Sequence, residues 1–245
     1  MRLSPVLTVR AGIIMDIMST DMSADLALAR LLQLSSVSLP VGGFAFSQGL
    51  EYAVECGWLQ KLPDVEQWLS LQLTENIARV DLPILREVML CSEKQDWTRF
   101  TFLNDLVLAS RETKELRLTD TAMGEALFRL LKSLDFAMPF VETQQEEISF
   151  VCLFAYAAAQ WQIPYRSAAM GLSWSWLENQ VAAATKLVPL GQTQAQQLLL
   201  SFQTMLPKVM DLAEMIETHE IGGGLPALAI ASALHETQYT RLFRS

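Results

Sequence analysis

Cysteine, histidine and charge are all scarce in this 245-residue chain. Its three cysteines, Cys56, Cys91 and Cys152, stand at wide and unrelated spacings. An odd, patternless set excludes a disulfide framework and fits a reducing compartment. The two histidines, His219 and His235, have no partner at H-x-x-x-H spacing, and neither His-Glu pair continues into H-E-x-x-H. The spacing of a mononuclear metal site is therefore missing. There is no G-x-x-x-x-G-K-[ST] loop, so nothing supports nucleotide binding by this chain. Lys+Arg 18 against Asp+Glu 27 leaves a net charge of −9, with no basic run. Nucleic-acid binding needs a concentrated basic face and is excluded. The apolar stretches are all shorter than the ~18 residues that suggest a membrane span. Arg2 and Arg10 flank short apolar runs that stop at Asp16, too short for a signal core. A cytoplasmic protein is expected.

What is abundant is apolar side chain. Hydrophobic residues make up 51% and charged residues only 18%, where about 25% charged is usual. So much burial potential excludes general disorder, and a chain of this size is expected to bury roughly 70% of its unfolded surface. With so few charges to cover the outside, some apolar surface is expected to meet a partner.

Apolar side chains recur at three and four residues, and alternation at two is rare, which predicts helices. Behind Pro63, the residues Val65, Trp68, Leu69, Leu73, Ile77 and Val80 form one stripe. Thr119 or Asp120 is expected to cap a helix bearing Met123, Leu127, Leu130, Leu131 and Leu134. Thr143 with Glu146, and Thr193 with Gln196, read as capping boxes. Pro207 is expected to kink or restart the second of these helices. The small-residue stretch Ser167 to Leu187 predicts a central helix pair or one long buried helix, ended by Pro189 and Gly191. Gly222-Gly223-Gly224 breaks the chain, and Pro226 starts a short final helix. Met15, Met18 and Met22 offer later starts, and residues 1–23 are expected to be a flexible extension.

Three constellations invite a chemical reading. Ala45-Phe-Ser47-Gln-Gly49 is one methyl group from the G-x-S-x-G elbow of serine hydrolases. That elbow needs a strand before it, and none is available. The alternative is a glycine turn at Gly42 and Gly43, a helix cap at or near Ser47, and anchors at Phe44 and Phe46. His219 and His235 read as ordinary histidines at helix C-termini, with an autonomous nickel site as the competitor. Arg111 and Glu115 lie at i,i+4 and are expected to pair on a solvated helix face. The last stretch, His235 to Ser245, interleaves Tyr239, Arg241, Leu242, Phe243 and Arg244. These are interface-anchor residue types, and a frayed terminus is the alternative.

The blocks Leu32-Gln-Leu, Pro40-Val-Gly-Gly-Phe, Ser47-Gln-Gly-Leu-Glu51 and Glu55-Cys-Gly-Trp58 closely resemble the opening of the UreF family of urease accessory proteins. The likeness continues through Ser110 to Arg117, Asn179 to Leu187, Pro189-Leu-Gly-Gln192, and His235-Glu236 with Gln238 and Arg241-Leu-Phe. The resemblance implies an all-α, single-domain helical bundle of about ten helices spanning 24–221. A glycine-rich break, a short helix and a partner-ordered C-terminal tail follow over 222–245. It implies a non-catalytic nickel-insertion chaperone that binds UreD (UreH in some organisms), recruits the GTPase UreG to apo-urease, and works as a homodimer in a larger complex. No stably bound cofactor is expected: nickel is handled by the complex and GTP is bound by the GTPase, whose hydrolysis this chain modulates. The implied partner-binding residues are Phe44, Gln48, Glu51, His235, Glu236, Gln238, Tyr239, Arg241, Leu242, Phe243 and Arg244. Phe44 corresponds to an aromatic tied to the GTPase-facing surface, and Arg241 to a residue that orders the tail. Ala45-Phe46 replaces the commoner Ser-Tyr pair, so the hydroxyls of that pair are missing here.

Overall fold

The computed structural model describes residues 23–140 and 147–244. The extension expected at 1–23 lies outside them apart from Ser23, as does the capping box at Thr143–Glu146. Every regular element among the described residues is helical, so the chain is all-α. α1 covers residues 23–34. After it come α2 (Leu50–Glu55), α3 (Leu62–Gln72), a π-wound segment (Leu73–Asp81) and α4 (Leu82–Glu93). Next are α5 (Trp97–Ala109), α6 (Lys114–Ser133), α7 (Phe150–Gln160) and α8 (Tyr165–Leu187). The order closes with α9 (Gln192–Gln203), α10 (Leu206–Met215) and α11 (Pro226–His235).

α7 is the innermost helix. Its residues from Phe150 to Ala158 are all buried, so it is apolar all round, as a helix without a solvent face must be. It packs against α4 and α6. Ser149 caps it, its hydroxyl accepting the Val151 N–H. At one end Phe100, Phe140 and Tyr156 form an aromatic knot. Phe100 stacks on Phe140 at 4.4 Å, and Tyr156 meets Phe140 edge-on at 5.0 Å. α8 is one continuous helix. The predicted stripe from Val65 to Val80 is buried except for Trp68, which is partly buried against the core. Its second half winds as a π-helix, which the apolar spacing did not reveal.

Two predicted caps fall elsewhere. α6 starts at Lys114, and its cap is Thr113, whose hydroxyl accepts the Leu116 N–H. Thr119 and Asp120 therefore lie inside the helix. Asp120 caps a different one: its carboxylate accepts from Ser149 Oγ and from the Phe150 N–H at the start of α7. α9 begins at Gln192 rather than at a Thr193 box. Gln194 reaches back to accept the Gly191 N–H at 2.8 Å, so the carboxamide at the third helical position acts from Gly191. Pro207 sits in the first turn of α10, a restart.

Candidate functional site

α11 lies across α2 and the start of α6, and the chain after it turns back over the same place. The approach of α11 to α2 depends on Gly49, at φ 80°. A Cβ there would lie 3.2 Å from Ser232 N and 3.4 Å from Ala231 Cβ, both on α11. The turn before α2 is pinned from the other side, where Trp176 Nε1–H of α8 donates to Gln48 Oε1 at 2.9 Å.

Beneath α11 sits a buried polar cluster. His235, fully buried at the end of α11, places Nδ1 2.8 Å from Glu115 Oε2 and Nε2 3.1 Å from Glu51 Oε2. Carboxylate oxygens only accept, so both contacts are satisfied when both ring nitrogens carry hydrogen. Helix ends favour this arrangement: Glu115 lies in the first turn of α6, and His235 in the last turn of α11. Arg241 Nη1 donates to Glu115 Oε1 at 3.1 Å. The backbone N–H groups of Leu242 and Phe243 donate to Glu51, at 2.6 and 2.9 Å. An imidazole, a guanidinium and two tail amides thus surround two carboxylates that would repel one another without them.

That cluster seats the tail. Phe243 is buried, with Lys186 Nζ 5.4 Å from its ring centroid. The Arg244 N–H donates to Ala45 O at 2.8 Å, and its guanidinium lies over the Phe46 ring at 5.9 Å. Gln238 Nε2 donates to Glu55 Oε2 at 3.2 Å. In the structure the tail lies against the body of the chain, with Glu51 accepting its amides and Phe243 seated in a pocket. The Ala45-Phe46 departure also finds its place: position 45 acts through its carbonyl, and Phe46 is buried.

The predicted partner-binding residues divide into two sets. Gln48, Glu51, His235 and Phe243 point inward, and Gln238 and Arg241 are tied down by their head groups. Phe44, Glu236, Tyr239 and Leu242 face outward, with Phe44 64% and Tyr239 fully exposed. Arg244 is held by its backbone while its side chain is exposed. Sequence reasoning missed Glu115, the Ala45 carbonyl and Lys186 as members of this site. It also missed the Thr113–Ser232 hydroxyl pair, 2.7 Å apart, that ties α11 to the start of α6.

The pairing expected between Arg111 and Glu115 does not occur. Glu115 turns into the tail cluster. Arg111 precedes α6 and bridges Asp120 at 2.8 Å and Asp81 at 2.9 Å. Burial alone would lower the guanidinium's pKa, but these two carboxylates raise it. Burial is also the main reason the Asp81 carboxyl is shifted up, with Arg111 opposing.

Ser47 is not on an exposed elbow. It is fully buried, no strand precedes it among the described residues, and its hydroxyl accepts the Glu51 N–H at 3.5 Å. That is the geometry of a helix start. His219 is exposed on a short 3₁₀ turn, Thr218–Glu220, beside Glu217. His235, by contrast, is no ordinary helix-terminal histidine, because its ring is closed off from solvent by two carboxylates. Among the described residues no group of three or more His, Cys, Asp or Glu is arranged to hold a metal ion, and no helix is long and apolar enough to cross a membrane.

The family model described as UreF matches residues 61–203 of this chain. A urease accessory protein UreF of Marinomonas sp. (strain MWYL1) is 59% identical over 232 residues, 94% of this chain and 100% of that protein. Its counterpart in Pseudomonas entomophila (strain L48) is 46% identical over 224 residues, 91% of this chain and 100% of that one. The counterpart in Alkalilimnicola ehrlichii (strain ATCC BAA-1101 / DSM 17681 / MLHE-1) is 46% identical over 230 residues, 93% and 100% of the two chains.

Proposed function

This chain belongs to the UreF family of urease accessory proteins, and within urease maturation we propose that it is a non-catalytic assembly factor. It binds UreD (UreH in some organisms), recruits the GTPase UreG, and brings both to apo-urease in the cytoplasm. Two copies form the centre of the complex. The GTPase supplies nucleotide chemistry, which this chain modulates, and the joined interiors give Ni²⁺ a path sheltered from cytosolic chelators.

One observation carries the reading. The tail and the Phe44 turn are fastened to each other and to the body from the inside, through Phe243, Phe46 and backbone hydrogen bonds, while Phe44, Tyr239 and Leu242 face out. The Arg244 N–H on Ala45 O joins the two segments directly. Phe44, Tyr239 and Leu242 leave most of their surface open in the single chain, being 64, 102 and 64% exposed. Exposed aromatic and aliphatic side chains on a pre-shaped backbone are suited to anchoring a partner at low entropic cost.

The test is co-expression of the tagged chain with UreD and UreG, followed by sizing of the purified complex. A stable higher-order complex is expected, and deletion of the residues after Leu234 is expected to abolish it. Phe44→Ala is expected to lose UreG with its helical circular dichroism unchanged, since an exposed ring contributes little to the fold. Urease activation by UreD and UreG alone, equal to that with this chain present, would overturn the proposal.

A further inference from the structure

A second polar interior lies away from the tail cluster. Between the π-wound segment, α6 and α8 is a cavity of about 100 Å³, counted as space for the centres of water molecules. One water needs about 10–15 Å³ on that measure, so it has room for several waters or one small solute. Its wall is rich in carboxamides: Gln72 and Asn76 on the π-wound side, Asn179 and Gln180 on α8, and Gln48, which holds the Trp176 indole.

The charged groups on this wall answer one another. Arg111 bridges Asp81 and Asp120, and Asp120 also accepts from the start of α7. Two neutral groups go unanswered. Gln72 Nε2, a donor, and Gln180 Oε1, an acceptor, have no hydrogen-bond partner, although their residues are 2% and 1% exposed. A buried polar atom left unpaired is costly, and such atoms in a native fold call for an occupant. The backbone agrees, since π-wound turns recur at functional sites. The cavity is partly covered by the glycine strap after α10, where Gly223 lies so close to the Glu75 carbonyl that a Cβ would come within 2.1 Å of that oxygen.

An unpaired amide N–H and an unpaired amide C=O on residues that line one cavity complement a group that carries one of each. We propose that this cavity is a binding site for a small neutral amide, of the size of urea or acetamide. An anion is disfavoured because Arg111 is already neutralised by two carboxylates. A nickel ion is disfavoured because neither histidine nor cysteine lines the wall, and imidazole and thiolate are the ligands that retain such metals. The site lies within this one chain and needs none of the partners proposed above.

The indole N–H of Trp176 is a reporter on the wall, and its NMR resonance in the full ¹⁵N-labelled chain is assigned by its loss in Trp176→Phe. Titration with urea and with acetamide is expected to shift it saturably, in the millimolar range fitting for so small a ligand. Acetone, which matches acetamide in shape but lacks the N–H, is expected to produce no saturable shift. Gln180→Met, and separately Gln72→Met, is expected to abolish the acetamide response, and the acetone comparison decides the matter without any variant. Equal responses to acetamide and acetone, or no response to either amide, would overturn the proposal and leave the cavity to water. So would selective broadening of this resonance by one equivalent of Ni²⁺ without an amide response.

Discussion

His235 illustrates how much one side chain can hold. A fully buried imidazole between Glu115 and Glu51 keeps two buried carboxylates together. Removing one partner of a buried ionic group typically costs about 3–5 kcal/mol, because the remaining charges lose their compensation. His235→Ala is expected to lose stability on that scale, read as a lower urea midpoint with an unchanged slope. Glu51 has a different weight, since it accepts both tail amides. Glu51→Ala is expected to release the tail, making Arg241 and Arg244 rapid sites of tryptic cleavage while helical content persists. A tail that stayed protected would mean that the burial of Phe243 alone is enough to seat it.

At the scale of elements, the strap from Ile221 to Leu225 decides how α11 reaches its place. Gly222 N–H donates to Arg79 O at 3.3 Å, so the strap runs along the π-wound segment. Gly223 and Gly222 are adjacent but unequal. A Cβ on Gly223 would lie 2.1 Å from Glu75 O, a backbone atom, whereas one on Gly222 would meet nothing within 4 Å. Gly223→Ala is therefore expected to cost about 1–3 kcal/mol, the range of forced overpacking. Gly222→Ala is expected to fall within about 0.5 kcal/mol of the parent, as surface changes do. Thermal melts of the two variants check the contrast.

For the whole molecule, the thiols report the state of the core. Burial pushes the Cys91 thiol up to about 11 and Cys152 well above its ordinary value. Cys56 is exposed. One thiol is thus expected to react promptly with a thiol reagent in the native protein, and all three after unfolding. The same shift sets a pH dependence. As pH rises past 9, the unfolded chain releases the Cys91 proton while the folded chain holds it until about 11. The unfolded state then binds fewer protons, so stability falls with rising pH by up to about 1.4 kcal/mol per unit across that window. Cys91→Ala is expected to flatten that part of the curve, followed by urea denaturation at successive pH values.

The sequence by itself determined that the chain is helical and where its breaks fall. Periodicity and proline are local, and so the Val65 stripe, the interruption at Pro207 and the start of α11 at Pro226 were legible, whereas packing decided that Tyr165–Leu187 is one helix and that Pro207 restarts rather than kinks. Family blocks likewise drew attention to the tail and the Phe44 turn, which the fold brings together through the Arg244 N–H on Ala45 O. Tertiary structure alone decided which partner each polar group takes. Arg111 and Glu115 stand four apart, as a surface pair would. Yet Arg111 turns to Asp81 and Asp120, and Glu115 turns to His235 and Arg241. Asp120, placed by sequence as a cap for its own helix, caps α7 instead. The π winding was hidden for a related reason: one extra residue per turn lets Gln72, Asn76 and Asp81 face a shared cavity while the apolar spacing still reads as ordinary helix. A buried charge is met by whatever group the fold brings close to it, and for Glu51 that group comes from 192 residues along the chain.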